Sequence, residues 1–219
     1  MTAIVVWGAL EVLLPVFELP EHLRELSGNA PEEQQKELMA ASVATANKNA
    51  TFGLALLAGI LGLSLTIAEV RARRQGRRAV WGGLLAFVIA AGFAVCGGIL
   101  SGQLSTSASL PEDPLTRTIV LQAVTFGFVG LGVGMGVSLA VSLPKIQPAL
   151  SGTCAVGGLL GGLLGGLIFP LASSILLPGA RTELSLPDPG ISRFLWLAVG
   201  ALMVAVTITG MGKEKTTAA

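Results

Sequence analysis

Apolar residues in this chain fall into runs long enough to cross the roughly 30 Å hydrocarbon layer of a bilayer, which takes about 20 residues of helix. Residues 50–70, 79–103, 117–143, 149–177 and 194–211 each predict such a helix. A sixth run, residues 3–17, is shorter, carries Glu11 and is broken by Pro15. It predicts a short or tilted span, or a helix lying in the membrane interface. Residues 18–49 are polar, with Glu21, Glu25, Glu32, Glu33 and Glu37 set against Arg24, Lys36 and Lys48. Within them Asn29 is the expected cap of a helix with Pro31 in its first turn and acids at its positive end, running straight on into the membrane. The fold class that follows is an all-α integral membrane protein: a polytopic bundle of five clear transmembrane helices plus a short N-terminal membrane or interfacial helix.

One run has a peculiar face. Gly157, Gly161 and Gly165 recur every fourth residue, as do Gly158, Gly162 and Gly166, so a helix there carries two adjacent strips of bare backbone. Each such glycine would cost about 1 kcal/mol relative to alanine in a water-exposed helix. In hydrocarbon the unpaired amide is the worse alternative, so the segment stays helical and uses the strips for close packing. Gly130 and Gly134 repeat the spacing in the preceding run, and all eight glycines are assigned to helix packing.

Charge then orders the helices. Arg71, Arg73, Arg74, Arg77 and Arg78 follow the first clear span, and the positive-inside rule puts this loop, 71–78, in the cytoplasm. Alternation then places residues 18–49, 104–116 and 178–192 outside and the Lys213-Glu214-Lys215 tail inside. Ten of the 13 acidic residues fall on segments so assigned to the outside, which agrees. Trp81 and Trp196 stand near span ends, where indoles favour the interface. The start, Met1-Thr2-Ala3, has no basic residue ahead of its apolar ones, so a removable signal peptide is not expected. The localisation expected is a bacterial cytoplasmic membrane.

A comparison of the chain with itself adds a second level. Thr51-Phe52-Gly53 recurs as Thr125-Phe126-Gly127, Gly82-Gly83-Leu84-Leu85 as Gly157-Gly158-Leu159-Leu160, and Ser109-Leu110-Pro111 followed by Asp113, Pro114 and Arg117 as Ser185-Leu186-Pro187 followed by Asp188, Pro189 and Arg193. The pattern predicts a tandem duplicated helical hairpin, both copies in the same orientation. The segments are then 1–17, the polar 18–49, a first hairpin 50–110, a second 111–186, and a last helix with its tail, 187–219. In the first copy Ala86 and Phe87 stand where Gly161 and Gly162 do in the second, which suggests that the glycine helix lies at the centre of the bundle and its counterpart further out.

Composition narrows the function classes. With 52% hydrophobic and 12% charged residues, mean hydropathy +0.76 and net charge +1, the chain offers no basic surface for nucleic acid. Cys96 and Cys154 fall at different depths, which argues against a disulfide, and both read as small apolar packers. His22 is the only histidine, and no nucleophile or phosphate-binding motif accompanies it. No catalytic group, metal or cofactor is expected, and Asn49-Ala50-Thr51 is discounted as a glycosylation site because it abuts the membrane.

The remaining polar residues have ordinary explanations beside functional ones. Glu11 is an ionisable group in an apolar run, or faces water at the interface. Glu69 stands four residues before Arg73 and reads as an i,i+4 ion pair. Gln122 and Thr125, with the repeat-related Ser64 and Ser138, would either line a polar path or hydrogen-bond between helices. Asp113 with Arg117 and Asp188 with Arg193 read as surface turns. The favoured function is a non-enzymatic structural or assembly subunit packed through its glycine-rich helices; the alternative is a small channel or permease for a neutral or weakly polar solute. Partners are the lipid bilayer and either further copies of the chain or another membrane protein.

Overall fold

The computed structural model describes residues 1–24, 31–72, 78–105, 110–142, 148–177, 187 and 190–214. Seven helices are found among them: α1 (Thr2–Leu13), α2 (Glu21–Arg24), α3 (Glu32–Ala72), α4 (Arg78–Ser105), α5 (Pro114–Ser142), α6 (Pro148–Leu176) and α7 (Gly190–Glu214). Five of these, α3 to α7, are long and apolar enough to cross a membrane, whereas α1, with 12 residues, is not.

Helix α3 has 41 residues. At 1.5 Å per residue that is about 61 Å, roughly twice a hydrocarbon layer; residues 32–46 add nothing to the buried core, and Met39, Val43 and Ala46 among them border a groove shared with α4 and α5. The expected cap Asn29 lies outside the described residues; the first turn is closed by the Pro31 carbonyl, which accepts from Gln35 N–H at 3.1 Å. Glu32 and Glu33 occupy the positive end, and Lys36 pairs with Glu32 at 2.9 Å, one turn apart. Helix α5 starts as sharply. Asp113 Oδ2 accepts from Thr116 N–H at 2.8 Å and from its hydroxyl at 2.6 Å, with Pro114 at the first helical position.

Helices α3 to α7 each pack against the next, α1 lies against both α7 and α3, and α5 touches α3, α4, α6 and α7. The arrangement is an arc of long helices around α5, with α1 closing it. This corrects the expectation that the glycine helix is central. Fifteen residues of α5 are buried, while α6 turns Leu160, Leu164, Leu167 and Leu171 outward. The glycines do not place α6 in the middle; they let it lie directly on α5 and α7.

The two strips serve different neighbours. A Cβ on Gly158 would run into the Gly130 carbonyl, one on Gly162 into the Phe126 carbonyl, and one on Gly166 would lie 2.5 Å from Gln122 O and Ala123 Cα, all on α5. Gly130 and Gly134 meet the Gly158 and Cys154 carbonyls in return. The other strip faces α7: a Cβ on Gly161 would lie 2.6 Å from Met203 O, one on Gly157 3.2 Å from Thr207 O, and one on Gly165 3.2 Å from Gly200 Cα. Backbone meets backbone along both lines, which maximises dispersion contact between helices.

Around α4 the same economy is reached differently. Ala86, Ala90 and Ala94 form a fully buried i,i+4 ridge. Gly62 of α3 faces Ala86 and Ala90, and Gly132 and Gly136 of α5 face Ala90 and Ala86, so the glycines stand on the partner helices. The Phe87 ring lies over Gly59, 2.6 Å from where a Cβ would be. Between these contacts the middle of the bundle is filled by Leu54, Leu57, Phe126, Val129 and Val133, each at most 2% exposed.

Two expectations are corrected by this packing. Trp196 is fully buried against Phe126, rings edge to face at 5.4 Å, and is no interfacial anchor; Trp81 is 77% exposed. Cys154 is a buried packer as expected, but Cys96 is exposed on α4; neither is joined in a disulfide.

Candidate functional site

Around residues 47–51 of α3, three apolar helices turn polar on the faces they share. Asn47 and Thr51 lie one turn apart on α3, Ser101 lies near the end of α4, and Thr118, Gln122 and Thr125 follow one face of α5; together they line a cavity of about 20 Å³. That is room for one water-sized occupant. Gly98 and Gly102 of α4 make the approach possible, since a Cβ on Gly98 would strike Thr51 and one on Gly102 would lie 3.6 Å from Asn47 Nδ2.

The hydroxyls here have fixed orientations. Thr51 Oγ1 donates to Asn47 O at 2.8 Å, Thr118 Oγ1 to Pro114 O at 2.9 Å and Thr125 Oγ1 to Leu121 O at 2.7 Å. Each proton is thus spent on the residue's own helix. Trp196 Nε1 donates to Gln122 Oε1 at 2.9 Å, tying the cavity to the buried indole of α7. Above the cavity a groove of about 770 Å³ is lined by Met39, Val43, Glu112 and Arg117 among others, and shares Asn47, Thr118 and Leu121 with it. Arg117 donates to the Ser105 carbonyl at the end of α4. The two hydrogen bonds from Thr116, side chain first and backbone second, hold the Asp113 carboxyl below its usual pKa. The contribution of this cap is present above the ordinary carboxylate pKa and is lost as pH falls through the depressed one.

A second polar cluster fastens α1. Arg193 Nη1 donates to Glu11 Oε1 at 2.8 Å, with 13% of the arginine side chain exposed, and Trp7 Nε1 donates to Gly190 O at 3.0 Å. The Trp7 and Phe194 rings meet edge to face at 5.8 Å. Beyond the helix, Asn49 Oδ1 accepts from the N–H groups of Val16 and Phe17 at 3.0 Å, and its Nδ2 donates to Phe17 O at 2.9 Å. Val6 and Leu10 are fully buried beneath. Helix α1 is therefore an integral wall of the bundle, and Asn49 is a buried clamp.

Of the four residues expected on a polar path, the structure brings Gln122 and Thr125 together and leaves the other two apart. Ser64 donates to Ile60 O at 2.7 Å and faces Thr2 at 3.5 Å, while Ser138 is buried with no partner among the described residues. Thr125 and Ser138 are 13 residues apart on one helix, about 20 Å. The filled apolar layer lies between. Arg71 is exposed at the end of α3 and Arg78 opens α4, while Arg73, Arg74, Arg77 and Asp188 lie outside the described residues. The partner found for Arg193 is Glu11, 182 residues away, which no local spacing signals. His22 is exposed, 3.7 Å from Glu37. Asn47, Ser101 and Thr118 were not singled out from sequence, and Thr51 only as part of the repeat and of the discounted glycosylation pattern; the signal available was their i,i+4 spacing at the polar ends of apolar helices. Comparison with protein-family models, curated proteins and solved structures finds no match.

Proposed function

We propose that this chain is a non-enzymatic integral membrane protein of the bacterial cytoplasmic membrane, with the arginine loop and C-terminus in the cytoplasm, acting as a structural or assembly subunit. The observation that carries the reading is the filled middle of the bundle: Leu54, Leu57, Phe126, Val129 and Val133 occupy the layer that a solute path would need. Both glycine strips are engaged within the chain, so association with another protein falls to a different surface. The mostly exposed residues 32–46 of α3 suit that role, a stretch of about 22 Å continuous with the part of the helix anchored in the core.

A tandem duplication of the hairpin, α3–α4 and α5–α6, belongs to the same proposal. It is supported by Thr51 and Thr125, equivalent in the repeat, which line one cavity and bond their own helices alike. The second reading, a small permease, is favoured by that cavity and the groove above it. A photo-crosslinking side chain at position 43 separates the two readings, with position 88 on the exposed face of α4 as control. The assembly reading expects one discrete protein adduct from position 43 in native membranes and none from 88. No adduct from 43, together with solute uptake by vesicles holding the purified chain, overturns it.

A further inference from the structure

We infer that the cavity between α3, α4 and α5 is a binding site for one monovalent metal cation. Its size admits a single water-sized occupant. What it offers such an occupant is set by the three threonines. Because Thr51, Thr118 and Thr125 each donate their only proton to a carbonyl of their own helix, each of these cavity-lining hydroxyls has only oxygen lone pairs left to offer. The amide nitrogens of Asn47 and Gln122 are donors, so the acceptor character comes from the hydroxyls and the amide oxygens. Gln122 Oε1 holds Trp196, and a carbonyl oxygen has a second lone pair to give.

The donor set selects the class of ion. No lining side chain is a carboxylate, thiolate or imidazole, which are the groups that calcium, magnesium and zinc sites draw on. Neutral hard oxygens suit an alkali cation. Two helix ends flank the site: Ser101 lies in the last turns of α4, whose terminal carbonyls carry partial negative charge, one of them held by Arg117, and the positive end of α5 is covered by the Asp113 carboxylate. Glu112 lines the groove above, beside Arg117, which is engaged with the α4 terminus. The site does not depend on whether the protein is an assembly subunit or a permease.

Thermal unfolding of the purified protein in detergent tests this, in chloride salts of sodium, potassium, lithium and choline at equal ionic strength. One alkali cation should raise the melting temperature by about 5 °C at saturation relative to choline. The Thr118→Val and Thr125→Val variants should lose that increment, and Thr207→Val, whose hydroxyl bonds Met203 O and Val204 O on α7, should keep it. Should either cavity variant fold poorly, direct binding of radioactive sodium or thallous ion to the unsubstituted protein, at one ion per chain, decides the matter. Identical melting in all four salts with no ion bound means that the cavity holds water only, and a shift that follows the anion when chloride is exchanged for nitrate means an anion site. Either result overturns the assignment, as does an alkali-specific shift that survives in Thr118→Val and Thr125→Val.

Discussion

Gly162 and Gly92 are both helical glycines, and their surroundings give opposite expectations for the same substitution. A Cβ on Gly162 would occupy the space of the Phe126 carbonyl, which is backbone and cannot rotate away, whereas a Cβ on Gly92 meets nothing within 4 Å. Gly162→Ala should therefore cost about 1–3 kcal/mol or more by forcing α5 and α6 apart. Gly92→Ala should be neutral or slightly stabilising, since alanine is the better helix former. Reversible unfolding in mixed detergent micelles would check the pair, and equal stability of the two variants would remove close packing as the reason for the glycine strips. The same logic separates residues with one chemistry. Trp81 and Trp196 are both indoles near helix ends, yet one is exposed and the other is held by Gln122 in the core.

Among the helices, α1 is the one whose role changes most between sequence and structure. Its 12 residues are too few to span a bilayer, and residue pattern alone leaves it short, tilted or interfacial. What settles its place is Arg193, together with the Trp7 and Asn49 contacts, none of which local periodicity can reveal. The five long helices, by contrast, were legible because runs of apolar residues and their charged ends are local properties. The glycine face was equally legible, but not which helix is innermost, because that depends on how many neighbours each helix finds. In the cavity the sequence pointed to Gln122 and Thr125 through their spacing on α5. It did not pair them with Asn47, Thr51 and Ser101, which come from helices whose register only packing decides. A double-mutant cycle on Glu11→Gln and Arg193→Gln tests the α1 clasp, with an expected coupling of about 0.5–3 kcal/mol. Additive losses would mean that α1 is held by apolar burial alone.

At the scale of the whole molecule, the helices divide the work. Helices α5, α6 and α7 stack backbone on backbone, α3 and α4 interlock alanines with glycines, and α1 closes the gap between the first and last long helices. The result is a bundle with apolar side chains filling its middle, polar residues gathered around a cavity between α3, α4 and α5, and a mostly exposed N-terminal stretch of α3. On the proposed reading, such a body holds a fixed position beside another protein and transports nothing. The most direct measurement is the mass of the complex extracted from native membranes in mild detergent, by native mass spectrometry with every component identified. The account predicts a defined hetero-complex containing this chain at fixed stoichiometry. A chain recovered alone, or as a symmetric ring of identical copies around a water-filled axis, would contradict it.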